Sequence, residues 1–309
     1  MKRTAQFSLT LCSFILLVGC LQDQKKSPKD LSFIDKGTVR IVCDSAFTSV
    51  MLQQAEIFEH LYDSARIEWN FVTSVQVEDS LLYGSAHVVV LGKELSPKLD
   101  SLLAIKNKSY ARQHIIAWDA ILLIVHPKSA IRDSSLTIDN IRYILSEKNT
   151  GPYIPVFNAA NQKMLPPVVK EEIFSKRAVH LADESSVIDY VSSNPAAIGF
   201  IPYATGSDSE SEQRQDILRK VKILSLRVTD SLSAVLYPSA SQEDIALQTY
   251  PLTRPVNIVL THTRDRLAVG FVQFLFQHQA SRIFLKKGMV PKYLPEREVA
   301  IDTGSLFND

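Results

Sequence analysis

Apolar and polar residues alternate along Thr38-Val39-Arg40-Ile41-Val42-Cys43, which predicts a strand. Met51, Ala55, Phe58 and Tyr62 then recur at spacings of three and four, the period of a helix with one buried face. Alternation returns from Arg66 to Phe71, placing Ile67, Trp69 and Phe71 on one side. A helical stretch, Val75 to Leu82, leads to His87-Val88-Val89-Val90-Leu91. That short, continuous apolar run suits a strand covered on both faces, as in a parallel sheet. Trp118 to Val125 is again apolar and stops at Pro127. Thr137 is placed to cap a helix carrying Ile138, Ile141 and Leu145. Further along, Tyr153 to Phe157 and Ala197 to Ile201 read as strands, Met164 to Phe174 as partly helical, and Val187 to Val191 as helix. The Ser-, Asp- and Glu-rich stretch Thr205 to Asp216 reads as a solvated loop. Val256 to Leu260 is a late strand, and one helix with Leu267, Phe271, Phe274, Leu275 and His278 closes the fold. Strand and helix alternate without internal repeat, the pattern of an α/β protein.

The first twenty residues stand apart from this pattern. Lys2 and Arg3 precede an apolar stretch, Phe7 to Val18, of signal-peptide length, too short to span a bilayer. Leu17-Val18-Gly19-Cys20 closes it and resembles the lipobox of bacterial lipoproteins, in which the cysteine is acylated and the upstream leader removed. Residues 1–20 are therefore expected as leader, with Cys20 the first mature residue, and the polar, lysine-rich 21–36 as a flexible tether. The expected location is a cell-envelope membrane, with the protein held through the lipid and facing the periplasm or the exterior.

Composition narrows the class. The chain has 34 basic and 33 acidic residues, and losing Lys2 and Arg3 leaves it near neutrality, which argues against nucleic acid as a partner. An apolar share of 46% and a mature length of about 290 residues fit two ordinary domains. Cys12 leaves with the leader and Cys20 takes the lipid, so Cys43 stands alone and no intramolecular disulfide can form. In an alternating strand it reads as a small buried apolar residue. Seven scattered histidines show no metal-ligand spacing, and neither a Gly-x-Ser-x-Gly elbow nor a His-Glu-x-x-His helix is present. Neither an enzyme nor a metal or cofactor is expected.

Several stretches in order resemble the substrate-binding proteins of phosphate ABC transporters. They are Cys43-Asp44-Ser45-Ala46-Phe47, Trp118-Asp119-Ala120 through Val125, Leu136-Thr137 through Leu145, and Asn194-Pro195-Ala196-Ala197-Ile198-Gly199-Phe200. Tyr250-Pro251-Leu252-Thr253-Arg254-Pro255 and Lys287-Gly288-Met289-Val290-Pro291 complete the set. The resemblance implies a two-lobed periplasmic-binding-protein fold of type II kind, with two crossover strands, closing on its ligand. Transferred to this chain, 37–117 plus 261–309 form lobe one, 118–126 and 250–260 the crossovers, and 127–249 lobe two. It also implies capture of phosphate or a related oxyanion by a monomer for an ABC permease. The alternative is a sensor or scaffold lipoprotein that keeps the fold without binding phosphate.

The same resemblance suggests where the ligand would sit. Ser45, Phe47 and Thr48, between the first strand and the first helix, could offer hydroxyls and helix-end N–H groups, or Ser45 or Thr48 could simply cap that helix. His87, Gly92 and Lys93 stand where the family has an acidic residue opening the third strand and a Ser-Arg pair closing it. Lys93 keeps a positive charge without the fork of arginine, and His87 is either a donor or a structural residue. In lobe two the family's Arg and Ser-Gly-Thr run is replaced by Asn158-Ala159-Ala160-Asn161, leaving Asn158 and Asn161 as neutral donors. Asp119 and Arg254 either face the cleft or pair across the crossover strands.

Overall fold

The computed structural model describes residues 34–108, 110–132, 135–158, 165–166, 168–169, 175–203, 212–229 and 234–294. The leader, Cys20, Asn161 and nearly all of the Met164–Phe174 stretch lie outside them. The chain begins with strand β1 (Gly37–Asp44), helix α1 (Thr48–Leu61), β2 (Ala65–Val72), α2 (Ser74–Tyr83), β3 (Val88–Leu91) and α3 (Pro97–Asn107). The long β4 (Arg112–Val125) follows, then α4 (Ile138–Leu145), β5 (Ile154–Asn158), β6 (Val179–Leu181), α5 (Glu184–Ser193) and β7 (Ala197–Pro202). Next come α6 (Glu212–Lys220), the short β8 (Lys222–Ile223), β9 (Val228–Thr229) and β10 (Val235–Leu236), and α7 (Gln242–Ala246). The chain then returns as β11 (Thr253–Leu260), α8 (Arg266–Leu275), α9 (His278–Lys286) and β12 (Val290–Pro291).

Eight strands run in the order β2-β1-β3-β11-β4-β7-β5-β6. The outer trios are parallel: β1 with β2 and β3, β5 with β6 and β7. Between them β11 and β4 pair antiparallel, from Thr253↔Ala120 to Leu260↔Arg112.

These two strands change core along their length. Ile116 and Ala117 of β4 and Val256, Ile258 and Leu260 of β11 pack with α1, α8 and α9, where Phe58 meets Phe271 and Phe274 at 5.2 and 5.3 Å. Ala120 to Val125, with Tyr250 and Leu252, pack with β5, β7 and α5. A smaller cluster of Val42, Val77, Leu81, Val89 and Leu103 fills the other face of the β1–β3 trio. The molecule is thus a two-lobed α/β protein joined by one antiparallel pair. Close packing at the second lobe is visible at Gly199, where a Cβ would stand 2.6 Å from Ile124 Cγ1 and 2.9 Å from Val191 Cγ2.

Four sequence expectations change. Strand β4 starts at Arg112 rather than Trp118, because its first residues are polar and only partly covered. Helix α3 was not expected, although Ser96 caps it and Pro97 opens it. The solvated loop ends early, since α6 starts at Glu212 and buries Ile217. The closing helix is two helices, because Gln277 is extended (φ −82°, ψ 165°) and starts α9 anew.

Candidate functional site

In the β2-β1-β3 trio all three strands deliver their C-terminal ends to one edge, with β1 between its two neighbours. Ligands of open α/β sheets bind at such an edge. Asp44 ends β1, Thr73 and Ser74 follow β2, and Gly92 and Lys93 follow β3.

Asp44 is buried, and its Oδ1 accepts the Ala46 N–H at 3.2 Å, which caps a single 3₁₀ turn, Ser45–Phe47. Burial pushes its carboxyl above the usual range, against the opposing pull of the Ala46 N–H, Arg254, the Ser74 hydroxyl and Lys93. Its Oδ2 has no hydrogen-bond partner. Neither Ser45 nor Thr48 therefore caps α1, and Asp44 caps only the 3₁₀ turn before it. Ser45 is exposed, and Thr48 gives its hydroxyl to the Ser45 carbonyl at 2.8 Å. Helix α1 starts with no side-chain cap, so its first N–H groups keep no side-chain partner.

Phe47 is fully buried and forms the floor of this edge. The Arg254 guanidinium lies over its ring, 5.2 Å from the centroid. Gly92 closes the third side: a Cβ there would stand 3.2 Å from Phe47 Cζ and 3.7 Å from Arg254 Cδ. Backbone, ring and guanidinium stem converge here, so a side chain at this position would have to move Phe47 by a few tenths of an ångström.

Arg254 and Asp119 face each other directly across β11 and β4, where the two strands pass from one core to the other. Both are 1% exposed, and Arg254 donates to Asp119 Oδ2 from Nε at 2.9 Å and from Nη2 at 2.5 Å. This is the cross-strand pair among the two readings of the sequence. It is incomplete, however, since Arg254 Nη1 and Asp119 Oδ1 are buried without partners.

The structure engages Lys93 in an ion pair and places His87 away from this edge. The Lys93 ammonium is not free, because Glu78 of α2 holds it at 2.5 Å. His87 lies at the opposite end of β3, about 16 Å from Gly92 at the rise of a strand. There its Nδ1 meets Thr261 Oγ1 at 3.1 Å and its ring lies 4.5 Å from that of His262. In lobe two, Asn158 ends β5 and donates to Glu184 Oε1 at 2.6 Å. Cys43 is buried, and its thiol is pushed well above the usual value by burial and then by Asp44, which makes it a packing residue. Among the described residues no group of three or more side chains is placed to hold a metal ion, and no helix is long and apolar enough to cross a membrane.

The residues the sequence reading missed are Asp44 and Ser74. Both had a signal, since each stands directly between a predicted strand and a predicted helix.

Comparison with known proteins adds a frame. A family model described as a PBP superfamily domain matches residues 34–279. No curated protein matches the sequence. Among solved structures, the chain is similar to a substrate-binding protein assigned to phosphate ABC transport in Clostridium perfringens, with phosphate bound. Identity is 18% and the TM-score 0.61, over 83% of this chain and all of that one. It is similar to an ABC-type phosphate transport receptor from Vibrio cholerae at 17% identity and TM-score 0.61, over 82% and 100% of the two chains. PstS from Borrelia burgdorferi aligns at 17% identity and TM-score 0.55, over 83% and 99%.

Proposed function

This chain belongs to the PBP superfamily, and we propose that it is a solute-binding lipoprotein that captures phosphate or a related oxyanion for an ABC permease. The observation that carries the reading is Arg254 Nη1, a buried cationic donor without a partner, set over Phe47 at the uncapped start of α1. A helix start and a guanidinium are the two groups that best receive an oxyanion. Gly92 leaves room for backbone approach at the same place. Asp44 Oδ2 and Asp119 Oδ1 supply acceptors for a proton carried by the ligand. The C. perfringens relative, with phosphate bound, favours capture over a lobe pair that has lost its ligand.

Ligand binds first to the β1–β3 edge, and lobe two closes upon it about the β4–β11 pair. Domain closure of this kind needs only a ligand with contacts in both lobes. Cys20 carries the lipid, residues 21–36 the tether, and the lobes face the periplasm or the exterior as a monomer. The lobe boundaries proposed are 37–117 plus 261–309 and 127–249, with the crossovers between.

Calorimetric titration of the purified protein with phosphate tests this reading. A one-site ligand at 100 times its Kd stabilises by about 2.7 kcal/mol, visible as a shift in melting temperature. An absence of heat and of thermal shift with phosphate, sulfate and arsenate at millimolar concentration overturns it. Palmitate labelling that depends on Cys20 tests the anchor.

A further inference from the structure

The three most exposed large apolar side chains among the described residues are Ile105, Tyr83 and Tyr110, at 78, 76 and 70%. Singly exposed apolar residues are ordinary on a protein surface, but these three stand at one end of lobe one. Tyr83 ends α2, Ile105 lies in the last turn of α3, and Tyr110 lies between α3 and β4. The segments meet in space. Lys106 Nζ donates to the Leu82 carbonyl at 2.7 Å, and Ala111 packs on the same small core as Leu81 and Leu103. Residues 80–87 and 104–112 also hold Lys106, Lys108 and Arg112, all exposed, and no carboxylate. None of the three cations is in a salt bridge among the described residues. A helix C-terminus favours a nearby cation, which accounts for two of them but not for the apolar side chains beside them.

The chain enters the fold at this same end. Strand β1 begins at Gly37, opposite Ala65 of β2, and its register with β3, Val42↔Val89, brings Gly37 level with residue 84. Arg112 pairs with Leu260, and Leu260 with Val88 at the start of β3. Residues 21–36 reach at most about 55 Å when fully extended, so a lipid on Cys20 holds this end within that distance of a bilayer. Strand β1 runs from here to Asp44, so the edge that carries Asp44, Phe47 and Arg254 lies on the opposite side of the lobe.

We propose that this end of lobe one docks on a lipid bilayer rich in anionic headgroups. Tyr83, Ile105 and Tyr110 enter the headgroup region, where aromatic and apolar groups gather. Lys106, Lys108 and Arg112 meet the lipid phosphates, which attract basic residues close to the surface. Docked in this way, the protein turns its Arg254 edge toward solution. The proposal takes the lipid at Cys20 from the function proposed above and does not need the oxyanion.

Fluorescence of the lipoprotein reconstituted into vesicles tests it, with a thiol-reactive dye on Ile105→Cys and, as control, on Leu247→Cys in lobe two, where the side chain is 66% exposed. The parent protein should take up no dye, because Cys43 is buried and Cys20 carries the lipid. Dye on the parent reports failure of the anchor alone, and the same variants are then compared with Cys20→Ser added. On phosphatidylglycerol vesicles the Ile105→Cys dye should be quenched by acrylamide at least threefold less than on phosphatidylcholine vesicles. The Leu247→Cys dye should be quenched equally on both. Adding Tyr83→Ser and Lys108→Glu to Ile105→Cys should remove most of the difference and leave melting temperature unchanged, since both side chains are exposed. The proposal is overturned if the two kinds of vesicle quench the Ile105→Cys dye equally, if the control is shielded as strongly, or if the added substitutions leave the shielding intact. Shielding that grows with protein density at fixed lipid composition marks a second copy of this chain on the face and overturns it as well.

Discussion

The two parallel trios end differently. At the β1–β3 edge Asp44, Asp119 and Arg254 each hold a buried polar atom without a partner. At the β5–β6 end Asn158 gives its amide to Glu184, and among the described residues of 127–249 no buried side-chain nitrogen or oxygen is left unpaired. An unpaired buried polar atom costs about 1–3 kcal/mol, so the first lobe keeps an interior that a ligand can complete. The second satisfies itself. Under the proposed function, the contrast predicts that most of the binding energy comes from lobe one and the crossover, with lobe two acting mainly to close.

The largest test of that contrast is the crossover pair. Asp119→Leu leaves the Arg254 charge buried and alone, and should cost about 3–5 kcal/mol in urea denaturation. Replacing both residues by leucine should restore most of that stability, since a buried pair is often no better than a packed apolar one. The double variant should nonetheless lose oxyanion binding. If it binds phosphate as the parent does, Arg254 is a structural residue only and the contrast fails.

A smaller effect is expected in lobe two. Asn158→Ala removes the hydrogen bond to Glu184, a loss of about 0.5–1.5 kcal/mol, with phosphate affinity changed less than threefold. A loss of more than tenfold in calorimetry would move the grip to lobe two.

Asp44 sharpens the comparison through pH. Its folded pKa is raised, so the folded state holds its proton longer than the unfolded chain, and stability falls as pH rises from about 3.9 through the raised value. Asp44→Asn keeps an acceptor for the Ala46 N–H and removes the charge. Melting temperature at pH 7 should rise by a modest amount, and its decline with rising pH across that window should flatten. An unchanged pH profile would mean that Asp44 ionises without cost.

How much of this was legible depended on the distance over which each signal acts. Strands β1, β3 and β7 and helix α1 are written in local apolar spacing. So is Thr137, whose hydroxyl accepts the Asn140 N–H at 3.3 Å and caps α4. The start of β4 was hidden because its first three residues are polar, Arg112 being exposed and Gln113 and His114 only partly covered. Tertiary partners were harder. Nothing near Lys93 in the sequence announces that Glu78 neutralises it, and Arg254 meets Asp119 across 135 residues. His87 was assigned by resemblance to the start of a strand. Its distance from the ligand edge is a property of strand direction, which the parallel pairing of β1 and β3 fixes and composition does not.

The smallest expected effects come from Lys93 and His87, and they bear on whether lobe one binds through Arg254 alone. A free Lys93 would contribute a charge-assisted hydrogen bond, and Lys93→Ala would then cost one to two decades of affinity. With its ammonium already held by Glu78 in a partly exposed pair, the loss should resemble that of a surface ion pair, about 0.2–1 kcal/mol. Phosphate affinity should accordingly change by less than about fivefold. His87→Ala should change it even less, because the ring lies at the far end of β3 against Thr261 and His262. Burial, and then His262, also lowers its pKa against the pull of Asp265, so mild acid protonates it less readily. Sulfate, which takes up no proton in this range, is the clean probe. Its affinity at pH 5.5 and 7.5 should differ by the same factor in His87→Ala as in the parent. A pH effect that vanishes with His87 would place a second cation at the anion site, and the primacy of Arg254 would have to be given up.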